Sequence, residues 1–360
     1  MLRGMKSMTA YLDRLSGPLL AALGLANALF VLSFLVVLLV AAQTLPAASA
    51  ETCRGDNLLV EMRQQDVAAY DRLMEEAAET VNGDTLLFRV EKPGAKPSWL
   101  FGTMHLTDER VVDLPPQAQA AFDQADAVAI ESTEILDPAK AQMALFSKPE
   151  LTMFTDGTGL SDYLDDDQRA VLKAGLAERG VQLALVERMK PWLITAMVAL
   201  PKCELDRKNE GQPFLDMKLA QDAEREGKDL VGLETIVEQF EAMASLPMEF
   251  HVRGLVDSIA LGDRIDDVIE TMIELYADGR TGAVWPMLRS ITPDQDEDSG
   301  YADFEETMVH LRNETMVERA RPLFDEGGAF VAVGALHLPG EKGIAALLEQ
   351  AGYTVTPVYN

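Results

Sequence analysis

The chain has 360 residues, 48% of them hydrophobic, which is enough to bury a sizeable core in one large or two ordinary domains. Its 59 Asp and Glu residues outnumber 31 Lys and Arg residues, and the formal net charge is -28. A surface of this sign repels phosphate backbones and anionic lipid headgroups, which argues against nucleic acid as a partner and against adsorption to lipid.

The first fifty residues have the organisation of a targeting segment. Basic residues precede an apolar stretch from about residue 17 to residue 42, which is long enough to span a bilayer. Residues 48–50, Ala-Ser-Ala, then have the small-x-small form of a signal-peptidase site. We expect cleavage after Ala50, and the alternative is a retained N-terminal membrane anchor. Both predict that residues 51–360 are exported, to a periplasmic or extracellular location.

Cys53 and Cys203 are the two cysteines of the sequence. Two cysteines in an exported protein favour one disulfide, because disulfides persist in oxidising compartments. A Cys53–Cys203 bond would tie down the start of the exported body. The alternative is two unrelated thiols.

The exported body alternates between strand and helix patterns. In chain order, the sequence predicts a helix over 58–81, strands over 84–90 and 98–103, a helix over 115–125 and a strand over 127–132. Helices then cover 138–201, with Ser161 as an N-cap and a largely buried segment over 191–200, and a further helix covers 213–226. The remaining elements are a strand over 229–234, helices over 235–244, 249–287 and 304–324, a strand over 329–333, a helix over 341–351 and a strand over 353–358.

This order predicts one α/β domain over residues 51–360. Strands at both ends of the body with helices between them favour a central mixed β-sheet flanked by helices. The long helical stretches, at about 140–225 and 245–325, are predicted to form a largely helical insertion.

Two histidines occur in matching Gly-x-x-His contexts. His105 follows Gly102 at the end of the strand over 98–103, and His337 follows Gly334 at the end of the strand over 329–333. Glycine lets the backbone or a ligand approach closely, and α/β proteins bind ligands at strand ends. The chain has two other histidines, in helical surroundings of mixed polarity. The repeated context therefore singles out His105 and His337 as functional candidates.

Two carboxylates also end predicted strands, at Glu131 and Glu234. A charge at the end of a buried strand is costly unless it is paired, coordinated or at the rim. With the two histidines, these residues form a mixed His/Glu set suited to divalent Zn, Mn or Co. Such a metal polarises a carbonyl or generates hydroxide, with one carboxylate as base. The alternative is a pair of rim carboxylates bound to Arg or Lys.

Arg312 and Asn313 lie on the long predicted helix ahead of the second Gly-x-x-His. Arginine is the natural bidentate partner for a carboxylate or an oxyanion, although a solvated helix face would also explain the pair. The sequence contains no His-Glu-x-x-His, Gly-x-Ser-x-Gly, Gly-rich phosphate loop or Cys-x-x-Cys motif.

Taken in order, these motifs resemble the TraB/GumN (TIKI/PrgY-like) superfamily. The matching segments are LFGTMHL at 100–106, VAIE at 128–131, GLET at 232–235, LRN at 311–313 and VGALHLPG at 333–340. The resemblance implies an α/β fold related to erythromycin-esterase-like and haem-binding ChaN-like proteins. For the animal members it implies metal-dependent protease activity that uses the Gly-x-x-His histidines and acidic residues. The matching positions here are His105, His337, Glu131 and Glu234, with Arg312 and Asn313 as support.

The sequence therefore predicts an exported metal-dependent hydrolase that acts on a peptide or small-molecule substrate, with peptide bonds favoured. His105 and His337 are expected to be metal ligands or a ligand and a base, and Glu131 and Glu234 to complete the site. Arg312 is expected to stabilise a developing oxyanion. A protein of another class remains the alternative: an exported or membrane-tethered binder of a peptide, a haem or a small ligand in the same cleft. In a third alternative, a membrane-tethered interaction protein, the histidines merely fill polar core positions.

Overall fold

A computed structural model describes residues 53–291 and 300–359. The predicted targeting segment lies outside the described residues, as does most of the acidic stretch that follows residue 291. Within the described ranges, no helix is both long enough and apolar enough to cross a bilayer.

The described strands form one mixed sheet. They are β1 (Leu87–Glu91), β2 (Ser98–Thr103), β3 (Ala127–Ile130), β4 (Asp229–Gly232), β5 (Ala329–Gly334) and β6 (Thr354–Val358). Their order across the sheet is β4-β3-β5-β2-β1-β6. The first four of these run parallel, whereas β1 is antiparallel to both of its neighbours. The predicted α/β fold with a central mixed sheet is confirmed, and the carboxyl ends of four adjacent strands meet at one edge.

Helices account for most of the remaining described chain. In chain order they are α1 (Leu58–Gln65), α2 (Val67–Glu79), α3 (Glu109–Val112), α4 (Pro116–Gln124), α5 (Pro138–Phe146), α6 (Asp166–Glu178), α7 (Leu183–Val186), α8 (Pro191–Val198), α9 (Lys202–Asn209), α10 (Leu215–Glu226), α11 (Ile236–Ala244), α12 (Met248–Ala260), α13 (Arg264–Ala277), α14 (Val284–Ile291), α15 (Tyr301–Glu305), α16 (Leu311–Glu326) and α17 (Ile344–Gln350). A π-helical turn, Glu306–His310, joins α15 to α16.

Both faces of the sheet are covered by helices. On one face α4, α10 and α13 pack around Phe101 and Phe330, and on the other α16 and α17 pack around Leu100 and Val331. A separate helical core forms where α6, α8 and α12 bury Leu172, Ile194, Leu255 and their neighbours. The sheet is therefore the middle of a three-layer sandwich, and a helical subassembly extends from it.

The helix predicted over 58–81 is in fact two helices. The chain breaks at Asp66, whose φ of -143° is not helical. Its carboxylate accepts a hydrogen bond from the amide of Ala69 and so caps α2. A single apolar periodicity does not reveal this break, because Asp is also tolerated within helices.

Two further expectations in the helical region are wrong. Ser161 is not an N-cap: it lies in a short 3-10 helix and donates its hydroxyl to Glu187, while Asp165 caps α6 in a capping box with Gln168. The segment over 191–200 is buried on one face only, since Met197 is 46% exposed.

Cys53 and Cys203 form a disulfide, as predicted. Their Cα atoms are 5.5 Å apart, and 150 positions of sequence separate them. The bond attaches the start of the described chain to α9, and its presence is compatible with an exported protein.

Candidate active site at the carboxyl edge of the parallel strands

Each of the four parallel strands ends close to a residue of the predicted site. Glu131 follows β3 directly, and Glu234 lies two positions beyond β4. His105 lies two positions beyond β2, and His337 ends a 3-10 turn that follows β5. Because these strands are parallel and adjacent, their carboxyl ends bring residues from distant parts of the chain to one edge.

Glu131 and Glu234 share one arginine. The Arg312 side chain donates from Nη2 to Oε2 of each glutamate at 2.7 Å, and from Nε to both oxygens of Glu234 at 3.1 Å. The glutamates are each only 7% exposed, so the guanidinium supplies the countercharge that their burial requires. Burial opposes the charge of Arg312, but Glu234 and Glu131 together raise its pKa above the ordinary value.

Two further donors fix the Glu131 carboxylate. The amide of Gly334 donates to Oε1 at 2.8 Å, and Nε2 of Gln239 donates to Oε2 at 3.0 Å. A Cβ atom on Gly334 would lie 3.1 Å from the same Oε1, so glycine permits this close approach. Burial alone would raise the pKa of Glu131, but His337, Arg312 and the other neighbours lower it to about 2. Glu131 is therefore ionised at neutral pH.

His337 is buried and neutral, with a defined tautomer. Its Nδ1 lies 2.6 Å from Oδ1 of Asn313, and the Asn313 amide donates from Nδ2 to the carbonyl of Lys342. Because Nδ2 of Asn313 points at that carbonyl, the amide oxygen Oδ1 is the atom that faces His337. An amide oxygen can only accept a hydrogen bond, so we assign the imidazole proton to Nδ1. Burial lowers the pKa of His337 to about 4 despite the opposing charge of Glu131. Its unprotonated Nε2 lies 3.8 Å from Oε1 of Glu131, beyond hydrogen-bonding distance.

His105 is on the open side of the site, with a side chain that is 56% exposed. Its Nε2 lies 3.4 Å from Oδ2 of Asp216, a residue in the first turn of α10 that is only 3% exposed. Oδ1 of Asp216 accepts the hydroxyl of Thr103, whereas Oδ2 is buried without a hydrogen-bond partner among the described residues. Loss of hydration would lower the pKa of His105, but Asp216 outweighs it and raises the pKa to about 9.

Asp216 is a site residue that sequence reasoning missed. It does not end a strand and carries no motif, so it reads as an ordinary acidic residue near a helix start. One signal was available: residues 219, 220 and 223 are apolar and buried, and a carboxylate at 216 continues their helical spacing. A charge on the apolar stripe of a helix requires a partner.

The backbone around His105 is held from α9. Lys208 donates to the carbonyl oxygen of His105 at 2.7 Å. Glu204, buried on the same helix, accepts the amide of Thr107 at 2.9 Å and its hydroxyl at 2.7 Å. Because Cys203 lies beside Glu204, the disulfide and the His105 segment are anchored to one short helix.

The other two histidines have structural roles outside this cluster, as do Glu134 and Glu238, which follow the two strand-end glutamates by three and four positions. His251 pairs with the carbonyl of Met243, and His310 with the carboxylate of Glu306. Glu134 accepts the amide of Ile236, and Glu238 closes the capping box of α11.

The donor types at this edge suit a divalent cation, although no group of three His, Cys, Asp or Glu side chains in the described ranges is positioned to hold one. Neither Nε2 of His337 nor Oε1 of Glu131 carries a proton in the assigned protonation states, so these two atoms do not hydrogen-bond to each other. Oδ2 of Asp216 is likewise unsatisfied beside His105. The site holds three carboxylates, of Glu131, Glu234 and Asp216. Their cationic partners are the side chains of Arg312 and His105, so one negative charge is left over. Imidazole nitrogen and carboxylate oxygen match Zn, Mn or Co.

Known proteins share this sequence pattern. The TraB/PrgY/gumN family matches residues 86–357. Metalloprotease TIKI1 of Xenopus tropicalis is 26% identical to this chain over 308 residues, and Metalloprotease TIKI1 of Homo sapiens is 27% identical over 308 residues. Each alignment covers 72% of this chain and 59% of the relative. Metalloprotease TIKI2 of Danio rerio is 25% identical over 320 residues, with coverages of 76% and 60%. The chain thus spans about 60% of the length of these relatives. No solved structure gives a significant match. The family match covers most of the sequence, and the chain belongs to the TraB/PrgY/gumN family.

Proposed function

We propose that the protein is an exported metal-dependent peptidase, with its reaction centre between Glu131 and His337. The observation that carries the proposal is the 3.8 Å approach of His337 Nε2 to Glu131 Oε1, two lone-pair atoms held in place by separate hydrogen bonds. Similarity to proteins named metalloproteases supports the same reaction class.

In this proposal a divalent metal, Mn, Co or Zn, would be held by His337 and Glu131. His105 and Asp216 would contribute from the open side once His105 has given up the proton that its raised pKa retains at neutral pH. When bound, such a metal polarises the scissile carbonyl and activates water. Ligation by Glu234 stays a prediction. Both Glu234 oxygens accept from Arg312, so its role in the present geometry is to hold that guanidinium.

The chain's own residues set the protonation states that the reaction needs. Asn313 keeps the proton of His337 on Nδ1, which leaves Nε2 free to bind a cation or accept a proton. Arg312 keeps Glu131 ionised and fixed in orientation. At least four of the five N–H groups of Arg312 already donate to protein oxygens, one of them to the carbonyl of Met308. We propose that Arg312 stabilises a developing oxyanion, as the sequence predicted, through the remaining N–H of Nη1 or by exchange of one of these bonds.

The test is elemental analysis of the purified protein combined with a peptide-library cleavage assay, with and without chelator. His105→Ala and His337→Ala should each lose metal and cleavage while the circular dichroism spectrum stays unchanged. His310→Ala is the control, because the imidazole of His310 pairs with Glu305 and Glu306 rather than with a residue of the proposed site. Unchanged metal content in the double variant, His105→Ala with His337→Ala, would contradict the assignment of these residues as ligands. Cleavage that persists without metal would contradict metal dependence.

The same preparation tests the binding-protein alternative. A protein that captures peptide without cleaving it, at any metal content, is a binder. A Soret band on haem titration, lost in His105→Ala or His337→Ala, would assign the cleft to haem instead.

A further inference from the structure

We propose that an apolar groove beside His105 binds an apolar side chain of a basic peptide, next to the bond that is cut; this inference rests on the proposed peptidase function. The groove has a volume of about 730 Å³ and lies between α5 and the start of α10. Its walls are mainly hydrophobic, including Ile135, Ala141, Leu145, Phe146, Phe214 and Met217. This volume falls within the range of roughly 300–1,000 Å³ that is typical of ligand pockets.

One wall of the groove is continuous with the candidate site. The ring of Phe214 lies against the imidazole of His105, with centroids 5.3 Å apart. Met217 follows Asp216, whose unsatisfied Oδ2 faces the same imidazole. A substrate side chain resting on Phe214 is therefore in contact with the residue that flanks His105.

The opposite wall begins at the loops that carry the two site glutamates. Glu134 lies three positions beyond Glu131, and Ile236 lies two positions beyond Glu234. Both line the groove, and Oε2 of Glu134 accepts the amide of Ile236 at 2.7 Å. This bond ties the two loops together at the groove. It also occupies a polar group of the lining, which leaves apolar contact as the main means of recognition.

The occupant is inferred from the lining and from the charge of the chain. Phe146 lines the groove and yet is 72% exposed, a position at which a bound apolar group removes aromatic surface from water. A net charge of -28 favours a substrate with basic residues around that apolar side chain. The apolar lining and the negative charge together favour a peptide in which an apolar residue is flanked by lysine or arginine.

Direct binding tests the groove independently of cleavage. The probes are a fluorescein-labelled hexapeptide with one phenylalanine among lysines and the same peptide with serine in place of phenylalanine. Fluorescence anisotropy with the chelator-treated full chain should show at least about tenfold tighter binding of the phenylalanine peptide, as expected for burial of one large apolar side chain.

Variants in the lining of the groove localise the effect. Phe146→Asp and Met153→Asp, both in the lining, should remove the preference for phenylalanine. Met143→Asp is the matched control, because Met143 is on the same helix α5 and is 69% exposed but does not line the groove.

The outcomes separate this inference from the proposed function. Phenylalanine-dependent binding without cleavage supports the groove and overturns the peptidase. Cleavage without side-chain preference, or equal effects of Phe146→Asp and Met143→Asp, overturns the groove and leaves the peptidase. Self-association that Phe146→Asp abolishes, with no peptide binding, would make the groove an interface between copies and also overturn the inference.

Discussion

Oδ1 of Asn313 accepts the proton of His337 Nδ1 across 2.6 Å, and this contact decides which imidazole nitrogen faces Glu131. Asn313 is fully buried, and its amide nitrogen is held by the carbonyl of Lys342, so the side chain cannot reverse without loss of both bonds. A residue on α16 therefore sets the chemistry of a residue that follows β5. Such outer partners orient metal-binding histidines in many proteins.

Asn313→Ala should disturb this arrangement in two measurable ways. The variant leaves the Nδ1–H of His337 and the Lys342 carbonyl without partners, which should lower the free energy of unfolding by about 1–3 kcal/mol in urea titrations. Metal affinity should fall by about 10–100-fold, because the imidazole is no longer oriented. Nitrogen-15 spectra that still show one Nδ1-protonated tautomer in the variant would contradict the assignment.

Arg312→Met should be among the most destabilising changes in the chain. It leaves Glu131 and Glu234 buried together without a countercharge, a loss that typically costs about 3–5 kcal/mol of unfolding free energy. Arg319→Met is the matched control on the same helix. Arg319 also pairs with a glutamate, Glu238, but both side chains are about 40% exposed, so the expected change is about 1 kcal/mol or less. Similar losses in the two variants, measured by urea unfolding, would refute the distinction.

Stability should fall as the pH is lowered below 6.5. The pKa of His337 is about 4 in the folded protein, so between pH 6.5 and 4 the unfolded chain binds a proton that the folded chain does not. Glu131 extends the loss, because its lowered pKa contributes stability that is complete above pH 4.5 and disappears as the pH falls to about 2. Urea unfolding should therefore show decreasing stability from about pH 7 to 5.5 and 4.5.

His337→Leu tests the contribution of the histidine. The variant has no imidazole to titrate, so its stability should change less than that of the parent protein between pH 6.5 and 4. Below this window the variant should also lose less stability than the parent protein, because His337 is one of the groups that lower the pKa of Glu131. Equal slopes throughout would show that His337 is not held neutral by burial.

Removal of the disulfide should loosen the His105 segment as well as destabilise the whole chain. Cys203→Ser opens a loop of 150 residues, and bonds of this kind contribute about 2–5 kcal/mol. The neighbouring Glu204 holds the amide of Thr107, so hydrogen exchange at that amide should accelerate more than exchange in the central strand β5. Glu204→Leu, which has no acceptor for this amide, should accelerate exchange at the Thr107 amide with the disulfide intact. A uniform increase over all strands in Cys203→Ser would show that the bond acts on global stability alone.

The strands and the strand-end residues were the most predictable parts of this protein. Glu131 and Glu234 each close an apolar run, and the two Gly-x-x-His segments repeat a context, so local patterns carried the information. Parallel pairing then places these ends at one edge. The break at Asp66 was less predictable because Asp also occurs within helices. The cap at Asp165 was less predictable because several acidic residues near that helix start satisfy the same capping rule.

The partners of the site residues were harder to predict than the residues themselves. Arg312 was assigned to an oxyanion, but its geometry depends on which side chains meet α16 in space. Asp216 shows the same limit, since its contact with His105 joins a helix start to a strand end 111 positions away. Sequence patterns record what a residue is next to along the chain, whereas charge pairing is settled by the tertiary fold.

The position of β5 has a consequence for when activity can arise. This strand lies between β3 and β2, and its first amide donates to the hydroxyl of Ser98, 231 positions earlier. His337 follows this strand in a 3-10 turn. Neither the middle of the sheet nor the cluster around Glu131 can close before that strand has been synthesised and inserted. Any hydrolytic activity of this site is therefore withheld until β5 has paired between β3 and β2.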